Sequence, residues 1–182
     1  MNIKVGLIGY GKWGKVLHDK LNNISDIKFV CRSKDTYLDK LDDVDWIFIA
    51  TPDNTHYEIV RNCLSKGKNV FCEKPLTLKY EQSKILYDIA EMNNVKLYVD
   101  DIQNYRNYDF EMINENYMSN LVERRKSGGG NIKDILYRLT YHDIYTLYKD
   151  IKNLEIESIS PIDLKNKLNF NVKFDCGINI EF

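Results

Sequence analysis

Three glycines near the start of the chain have the spacing of a phosphate-binding loop. They form a G-x-G-x-x-G pattern directly after a short apolar run with the composition of a buried strand. In such a loop the first glycine allows a tight turn, the second admits a pyrophosphate close to the backbone, and the third lets a helix pack on the strand. The amino end of that helix would hold the phosphates. The expected dinucleotide contacts in this loop are Gly9, Tyr10, Gly11, Lys12, Trp13 and Gly14.

A second group of reactive side chains follows a later apolar strand, in the turn Glu73-Lys74-Pro75. A lysine and a glutamate in a turn are usually solvated. This turn, however, follows a strand of the same predicted sheet as the glycine loop, and loops after parallel strands meet at one edge. Its position therefore makes Lys74 a candidate functional residue.

The elements that must position these residues alternate along the first hundred positions. Strand-like runs rich in β-branched and aromatic residues begin near residues 3, 27, 45, 69 and 95, and residues 54–64 and 78–92 have apolar residues at helical spacing. Alternating strands and helices predict an α/β fold, a parallel sheet covered on both faces. Ligands of such a sheet bind beyond the carboxyl ends of its strands.

The end of the second strand indicates which dinucleotide is bound. Arg32, Ser33 and Lys34 stand where an acid usually binds the ribose hydroxyl of NAD, and the first acid is Asp35. A guanidinium, an ammonium and a hydroxyl suit a 2'-phosphate, so we expect NADP, with NAD as the alternative. An exposed basic turn with no ligand is the other interpretation of these residues.

The third strand ends in Thr51 and Pro52, and His56 follows in the first turn of the next predicted helix. Pro52 fixes a bend at the same sheet edge. On local grounds His56 faces either the cofactor crevice or the solvent.

Composition excludes some classes of protein. The chain has 182 residues, 43% of them apolar, and 26 basic against 27 acidic residues, so no basic excess indicates nucleic acid. No run of eighteen apolar residues occurs, and the first strand begins too early for a leader, so we expect a cytoplasmic protein without membrane contact. Cys31, Cys63, Cys72 and Cys176 lack C-x-x-C spacing, which favours reduced, mostly buried thiols over a metal site or a disulfide.

Three segments together, GLIGYGKWG, ATPDNTHYEIV and GKNVFCEKPLTL, resemble the Gfo/Idh/MocA oxidoreductases. The resemblance implies a Rossmann doubly wound parallel sheet followed by a second domain. It also implies that Lys74 is catalytic, lying beside the nicotinamide and the substrate hydroxyl, where a lysine orients the substrate or moves its proton. Thr51, Pro52, His56, Glu73 and Lys74 would line the cofactor crevice.

The resemblance extends more loosely into the rest of the chain. Tyr105 and Arg106 fall where the family has a loop near the substrate, and residues 135–149 read as a helix in which His142 is the candidate acid or base. Arg138 stands where the family has an aspartate four residues before that histidine. This difference puts a proton relay in doubt and predicts instead an anionic group on the substrate. The three glycines at 128–130 indicate a mobile connection rather than a phosphate-binding loop.

The domain organisation expected from the sequence is a Rossmann domain over residues 1–120 and a small, truncated α+β domain over 121–182. The second domain would contain one helix and strands near 154–160, 167–174 and 177–182. We expect its last strand to be an open edge that pairs with a second copy, giving a homodimer.

The leading functional hypothesis is an NAD(P)-dependent oxidoreductase that transfers a hydride to or from a sugar, a sugar derivative or a nucleotide sugar. The alternative is a cofactor-binding sensor or accessory protein of the same fold with reduced or lost catalysis, which Arg138 and the short second domain favour. A biliverdin-type or dihydrodipicolinate-type reductase is a third interpretation, which the Glu73-Lys74-Pro75 turn disfavours.

Overall fold

The computed structural model describes residues 2–32, 35–100, 119–121, 155–164, 167–174 and 179–181. The chain divides into two compact units, Met1–Asp100 and Asp101–Phe182. The first unit ends earlier than the domain limit expected at residue 120. Because residues 101–118 lie outside the described residues, that limit stays a prediction.

The N-terminal unit alternates strands and helices. Its elements in chain order are β1 (Lys4–Ile8), α1 (Lys12–Leu21), β2 (Asp26–Cys31), a 3-10 helix (Leu38–Asp43), β3 (Trp46–Ile49), α2 (Asp53–Ser65), β4 (Asn69–Glu73), α3 (Tyr80–Met92) and β5 (Leu97–Asp100). The bounds agree with the predicted strands and helices to within a few residues. The 3-10 helix between β2 and β3 was not predicted.

The five strands form one parallel sheet with the order β2-β1-β3-β4-β5. The chain runs from β1 to β2 in one direction and from β3 to β5 in the other. Since crossovers between parallel strands are right-handed, this reversal puts α1 on one face of the sheet and α2 and α3 on the opposite face. The predicted α/β, doubly wound Rossmann architecture is therefore confirmed.

Alternate residues of β3 and β4 bury one face of the sheet, against α2. Ile47, Ile49, Val70 and Cys72 are fully buried, as the pleat of a strand requires when one face meets a helix. Burial of an aliphatic side chain contributes about 1.5–3 kcal/mol relative to exposure. This core fixes the positions at which β3 and β4 end, and therefore the positions of the loops that follow them.

The point where the strand order reverses lies between β1 and β3. Backbone hydrogen bonds connect the residues that follow these strands to the ends of neighbouring strands. The amide of Ala50 donates to the carbonyl of Ile8 at 2.8 Å, and the amide of Gly9 donates to the carbonyl of Cys31 at 2.9 Å. The glycine loop is thereby fixed against the ends of two neighbouring strands. This is the place in an open α/β sheet where ligands bind.

The second unit contains a four-stranded sheet with the order β6-β9-β8-β7. Its strands are β6 (Ser119–Leu121), β7 (Ile156–Leu164), β8 (Lys167–Phe174) and β9 (Asn179–Glu181). The last three correspond to the three predicted strands, and β6 was not predicted. Pro161 lies in β7, at an edge, where its missing N–H interrupts no ladder between two neighbours.

The expectation that the last strand is an open edge was wrong. Strand β9 pairs with β6 on one side, in parallel, and with β8 on the other, antiparallel. Its backbone groups already have neighbours on both sides, so it offers no free edge to a second copy. In the part of the sheet that the structure describes, β6 and β7 are the edges. A homodimer through the last strand is therefore not supported.

Candidate functional site

Two glycines of the loop after β1 are required by the protein itself. Gly9 has a φ of +100°, and a Cβ there would meet the carbonyl of Ala50. A Cβ on Gly14 would meet the carbonyl of Gly9, because α1 packs closely on the loop. Any side chain at either position would break these contacts, so both glycines are explained by folding alone.

Gly11 has no such explanation within the protein. Its φ of −75° suits any residue, and a Cβ there would meet nothing within 4 Å. Gly11 is also the N-cap of α1, where it offers no side-chain acceptor, and the first turn of α1 contains no acidic residue. The amino end of α1 therefore opens onto space that a phosphate could fill. The residues fit the dinucleotide that their spacing predicts.

Arg32 lies beside this loop. Its guanidinium carbon is 5.5 Å from the centroid of the Tyr10 ring, and the ring of His18 meets Tyr10 edge-on at 5.4 Å. The backbone amide of Arg32 donates to the Asp35 carboxylate at 2.7 Å, so that acid already has a partner. The arrangement stacks an exposed cation on the aromatic residue of the glycine loop.

The loop after β3 begins the helix α2 at the same edge of the sheet. Pro52 is the N-cap, with a φ of −59°. The Thr55 hydroxyl donates to the carbonyl of Pro52 at 2.6 Å and lies 2.8 Å from the Thr51 hydroxyl. These bonds fix Thr51 to the start of α2. The residue before it, Ala50, lies against Gly9, so Thr51 is also next to the glycine loop.

His56 lies in the interior, 1% exposed, whereas the sequence left it facing either the crevice or the solvent. Its Nδ1 is 2.8 Å from the carbonyl oxygen of Pro75, and its Nε2 is 2.9 Å from that of Thr51. Both ring nitrogens are thus engaged by the backbone of two loops. The contact of His56 with a cofactor stays a prediction.

Glu73 and Asp100 end the neighbouring strands β4 and β5 in register. Burial, the charge of Asp100 and a hydrogen bond to Asp100 together raise the pKa of Glu73 to about 8, although the backbone amide and the charge of Lys74 lower it. Oε1 of Glu73 is buried and has no hydrogen-bond partner among the described residues. Two carboxyl groups can make this bond only by sharing a proton.

Asp100 was not among the residues that the sequence singled out. The available signal was an acid at the end of the strand that follows β4, since loops and strand ends of a parallel sheet converge at one edge. Strand pairing, not spacing in the chain, brings it to Glu73.

The remaining predicted residues divide into two groups. Lys12 and Trp13 are exposed in the first turn of α1, and Lys74 is half-buried directly after β4. The predicted residues that lie outside the described residues are Ser33, Lys34, Tyr105, Arg106, Arg138 and His142. Their roles stay predictions.

The described cysteines are free and buried, as expected: Cys31, Cys63 and Cys72. Burial raises the pKa of all three thiols, that of Cys63 to about 12, which keeps them protonated at neutral pH. Cys176 lies outside the described residues. Across the positions that the structure covers, no group of three His, Cys, Asp or Glu side chains could hold a metal ion. No helix within those positions is long and apolar enough to cross a membrane.

The fold and the loop define a class of protein. A doubly wound parallel sheet with a glycine loop at its switch point, opening onto the bare amino end of a helix, is a nucleotide-binding Rossmann domain. Residues 25–101 match the family model described as "Oxidoreductase family, NAD-binding Rossmann fold". This match confirms the resemblance of the motifs to the Gfo/Idh/MocA oxidoreductases.

Curated relatives are similar over part of their length. An uncharacterized oxidoreductase of Streptococcus pneumoniae is 37% identical over 84 residues, which are 44% of this chain and 23% of that protein. The scyllo-inositol 2-dehydrogenase (NADP(+)) IolW of Bacillus subtilis is 27% identical over 77% of this chain and 42% of its own length. The chain thus spans less than half the length of these relatives.

A solved structure has the same fold. UDP-N-acetylglucosamine 3-dehydrogenase GnnA from Acidithiobacillus ferrooxidans superposes with a TM-score of 0.80 at 19% identity, over 100% of this chain and 68% of that one. At this identity the similarity concerns the fold alone.

Proposed function

We propose that this chain forms the cofactor-binding part of an NAD(P)-dependent oxidoreductase that transfers a hydride to or from a CH–OH group of a sugar, a sugar derivative or a nucleotide sugar. The observation that carries the proposal is Gly11. The fold does not need a glycine there, and a ligand pressed against the loop does. The oxidoreductase family whose model residues 25–101 match supplies the reaction class.

In this proposal the residues in the loops after β1, β3 and β4 have different roles. The amides at the start of α1 bind the pyrophosphate, and Gly11 keeps side chains away from it. Thr51 and Pro52 line the crevice, with Glu73 at the far side. Lys74 orients the oxygen of the substrate or transfers its proton. The nicotinamide, when bound, supplies the hydride chemistry.

NADP is the cofactor that we propose, with NAD as the alternative. The guanidinium of Arg32 stands over Tyr10, at the end of the loop where the adenosine ribose lies in a Rossmann domain. Asp35, the acid that could accept a bond from the 2'-hydroxyl of NAD, is bonded to the amide of Arg32. The name of the relative IolW includes NADP(+), in agreement with this choice.

The substrate class rests on the relatives. By their names, IolW acts on scyllo-inositol and GnnA on UDP-N-acetylglucosamine, both polyhydroxylated. The proposal keeps Tyr105, Arg106, Arg138 and His142 as substrate-contacting residues, with His142 as the partner of Lys74.

A second candidate function is a cofactor-binding sensor or accessory protein without turnover. Arg138 favours it, because the aspartate that the family pattern has at this position is missing. A panel of sugars and nucleotide sugars, followed at the absorbance of reduced nicotinamide, distinguishes the two.

The experiment that tests the proposal compares wild type with Lys74→Ala. We expect turnover of a substrate from the panel by wild type, its loss in Lys74→Ala, and nearly unchanged NADPH affinity by intrinsic fluorescence in both proteins. Cofactor binding with no turnover across the panel would favour the sensor. Turnover that survives in Lys74→Ala would exclude the assigned chemistry.

A further inference from the structure

One buried ring links the two loops that carry the proposed catalytic and cofactor-lining residues. His56 sits in the first turns of α2, and its nitrogens contact the carbonyl of Thr51, after β3, and that of Pro75, after β4. Pro75 directly follows Lys74. The ring therefore lies between the loop that follows β3 and the turn that contains Lys74.

Both partners of the ring are hydrogen-bond acceptors. A neutral imidazole has a single N–H and can donate to only one carbonyl, whereas a ring protonated at both nitrogens donates to both. The ring itself is only 1% exposed. A bond to Pro75 thus requires a proton on Nδ1.

We propose that His56 is a positioning residue for Lys74, which holds the Lys74-Pro75 turn at a fixed place through an N–H donated from Nδ1 to the Pro75 carbonyl. Nε2 of the same ring lies 2.9 Å from the carbonyl oxygen of Thr51, so the ring also packs against the loop that follows β3. The proposal rests on the proposed function, since it assigns to Lys74 the role given above.

Two amide variants separate the bonds. In His56→Asn the side-chain nitrogen takes the place of Nδ1 and can donate to Pro75, and in His56→Gln it takes the place of Nε2 and can donate to Thr51. We expect kcat of His56→Gln to be about tenfold or more below that of His56→Asn, because a small misplacement of a reacting group is costly. The KM for NADPH should differ little between the two variants.

Val60→Ala is the matched control. Val60 is fully buried on the same helix and touches neither loop through a hydrogen bond, so its truncation lowers stability without moving the turn. Equal kcat values for His56→Asn and His56→Gln would overturn the proposal, as would a loss of kcat in Val60→Ala as large as that in His56→Gln.

A readout without cofactor keeps the two proposals apart. Nitrogen-15 spectra of the free protein report the protonation of each ring nitrogen, and amide spectra report the Lys74 turn. We expect Nδ1 to be protonated, and the Lys74 amide to shift in His56→Gln more than in His56→Asn. An unprotonated Nδ1 contradicts the role of His56 even if Lys74 is catalytic. Absent turnover, with these spectra as expected, counts only against the proposed function.

Discussion

Glu73 and Asp100 lie opposite each other at the ends of adjacent parallel strands. Their carboxyl groups form a hydrogen bond, which requires one of the two groups to be protonated. The pKa of Glu73 is raised to about 8 from its ordinary 4.5, chiefly by burial. Between these pH values the folded protein keeps a proton that the unfolded chain releases, so the free energy of unfolding falls as pH rises through this window.

Glu73→Gln should remove this pH dependence. The neutral amide has no charge to desolvate, so the variant gains stability over wild type as pH rises from 5 to 8. One pKa unit corresponds to about 1.4 kcal/mol, and because Glu73 is only half-buried we expect a gain on the order of 1 kcal/mol at pH 8. Urea unfolding at several pH values measures it.

Asp100→Asn is the companion variant. It removes the like charge but leaves Glu73 buried, so the fall in stability should begin at the same pH, end at a lower pH and be smaller. A difference between Glu73→Gln and wild type that is the same at pH 5 and pH 8 would contradict the shared proton.

Gly11→Ala should fold normally and bind dinucleotide poorly. The added methyl group meets nothing in the protein, so the melting temperature should stay close to that of wild type. A phosphate pressed against the loop would collide with it, and we expect the Kd for NADPH to rise about tenfold or more, equivalent to about 1.4 kcal/mol. Differential scanning fluorimetry and fluorescence titration measure the two effects.

Gly67→Ala gives the converse result. Gly67 lies in the turn after α2, before β4, with a φ of +69° and open space around it. Alanine there should lower stability by about 1 kcal/mol through backbone strain and leave NADPH affinity unchanged. If Gly11→Ala and Gly67→Ala behave alike, the special role of Gly11 is disproved.

Arg32→Ala should weaken NADPH binding about tenfold and NADH binding much less, because charge-assisted bonds to the 2'-phosphate are lost only with NADPH. Isothermal titration of both cofactors measures the ratio. Lys28→Ala is the control: it removes an exposed lysine of β2 that pairs with Asp26 at 2.6 Å. An equal effect of Arg32→Ala on both cofactors would leave Arg32 as an ordinary basic turn residue.

The amino-acid sequence alone determined the strands, the α-helices and the glycine loop of the N-terminal unit, but not its 3-10 helix. Alternating apolar runs and helical spacing predict β1 to β5, α2 and α3, because these periods arise within a few residues of chain. The G-x-G-x-x-G spacing and the Glu73-Lys74-Pro75 turn are likewise local, so the sequence indicates them without knowledge of how the strands pair.

Tertiary structure decided which residues meet. Asp100 reaches Glu73 through the pairing of β4 with β5, His56 turns inward to two carbonyls from separate loops, and β9 lies inside its sheet beside β6. Apart from the contact of His56 with Thr51, each of these contacts joins segments far apart in the chain. Local propensity does not encode them, because they depend on the register and packing of the whole sheet.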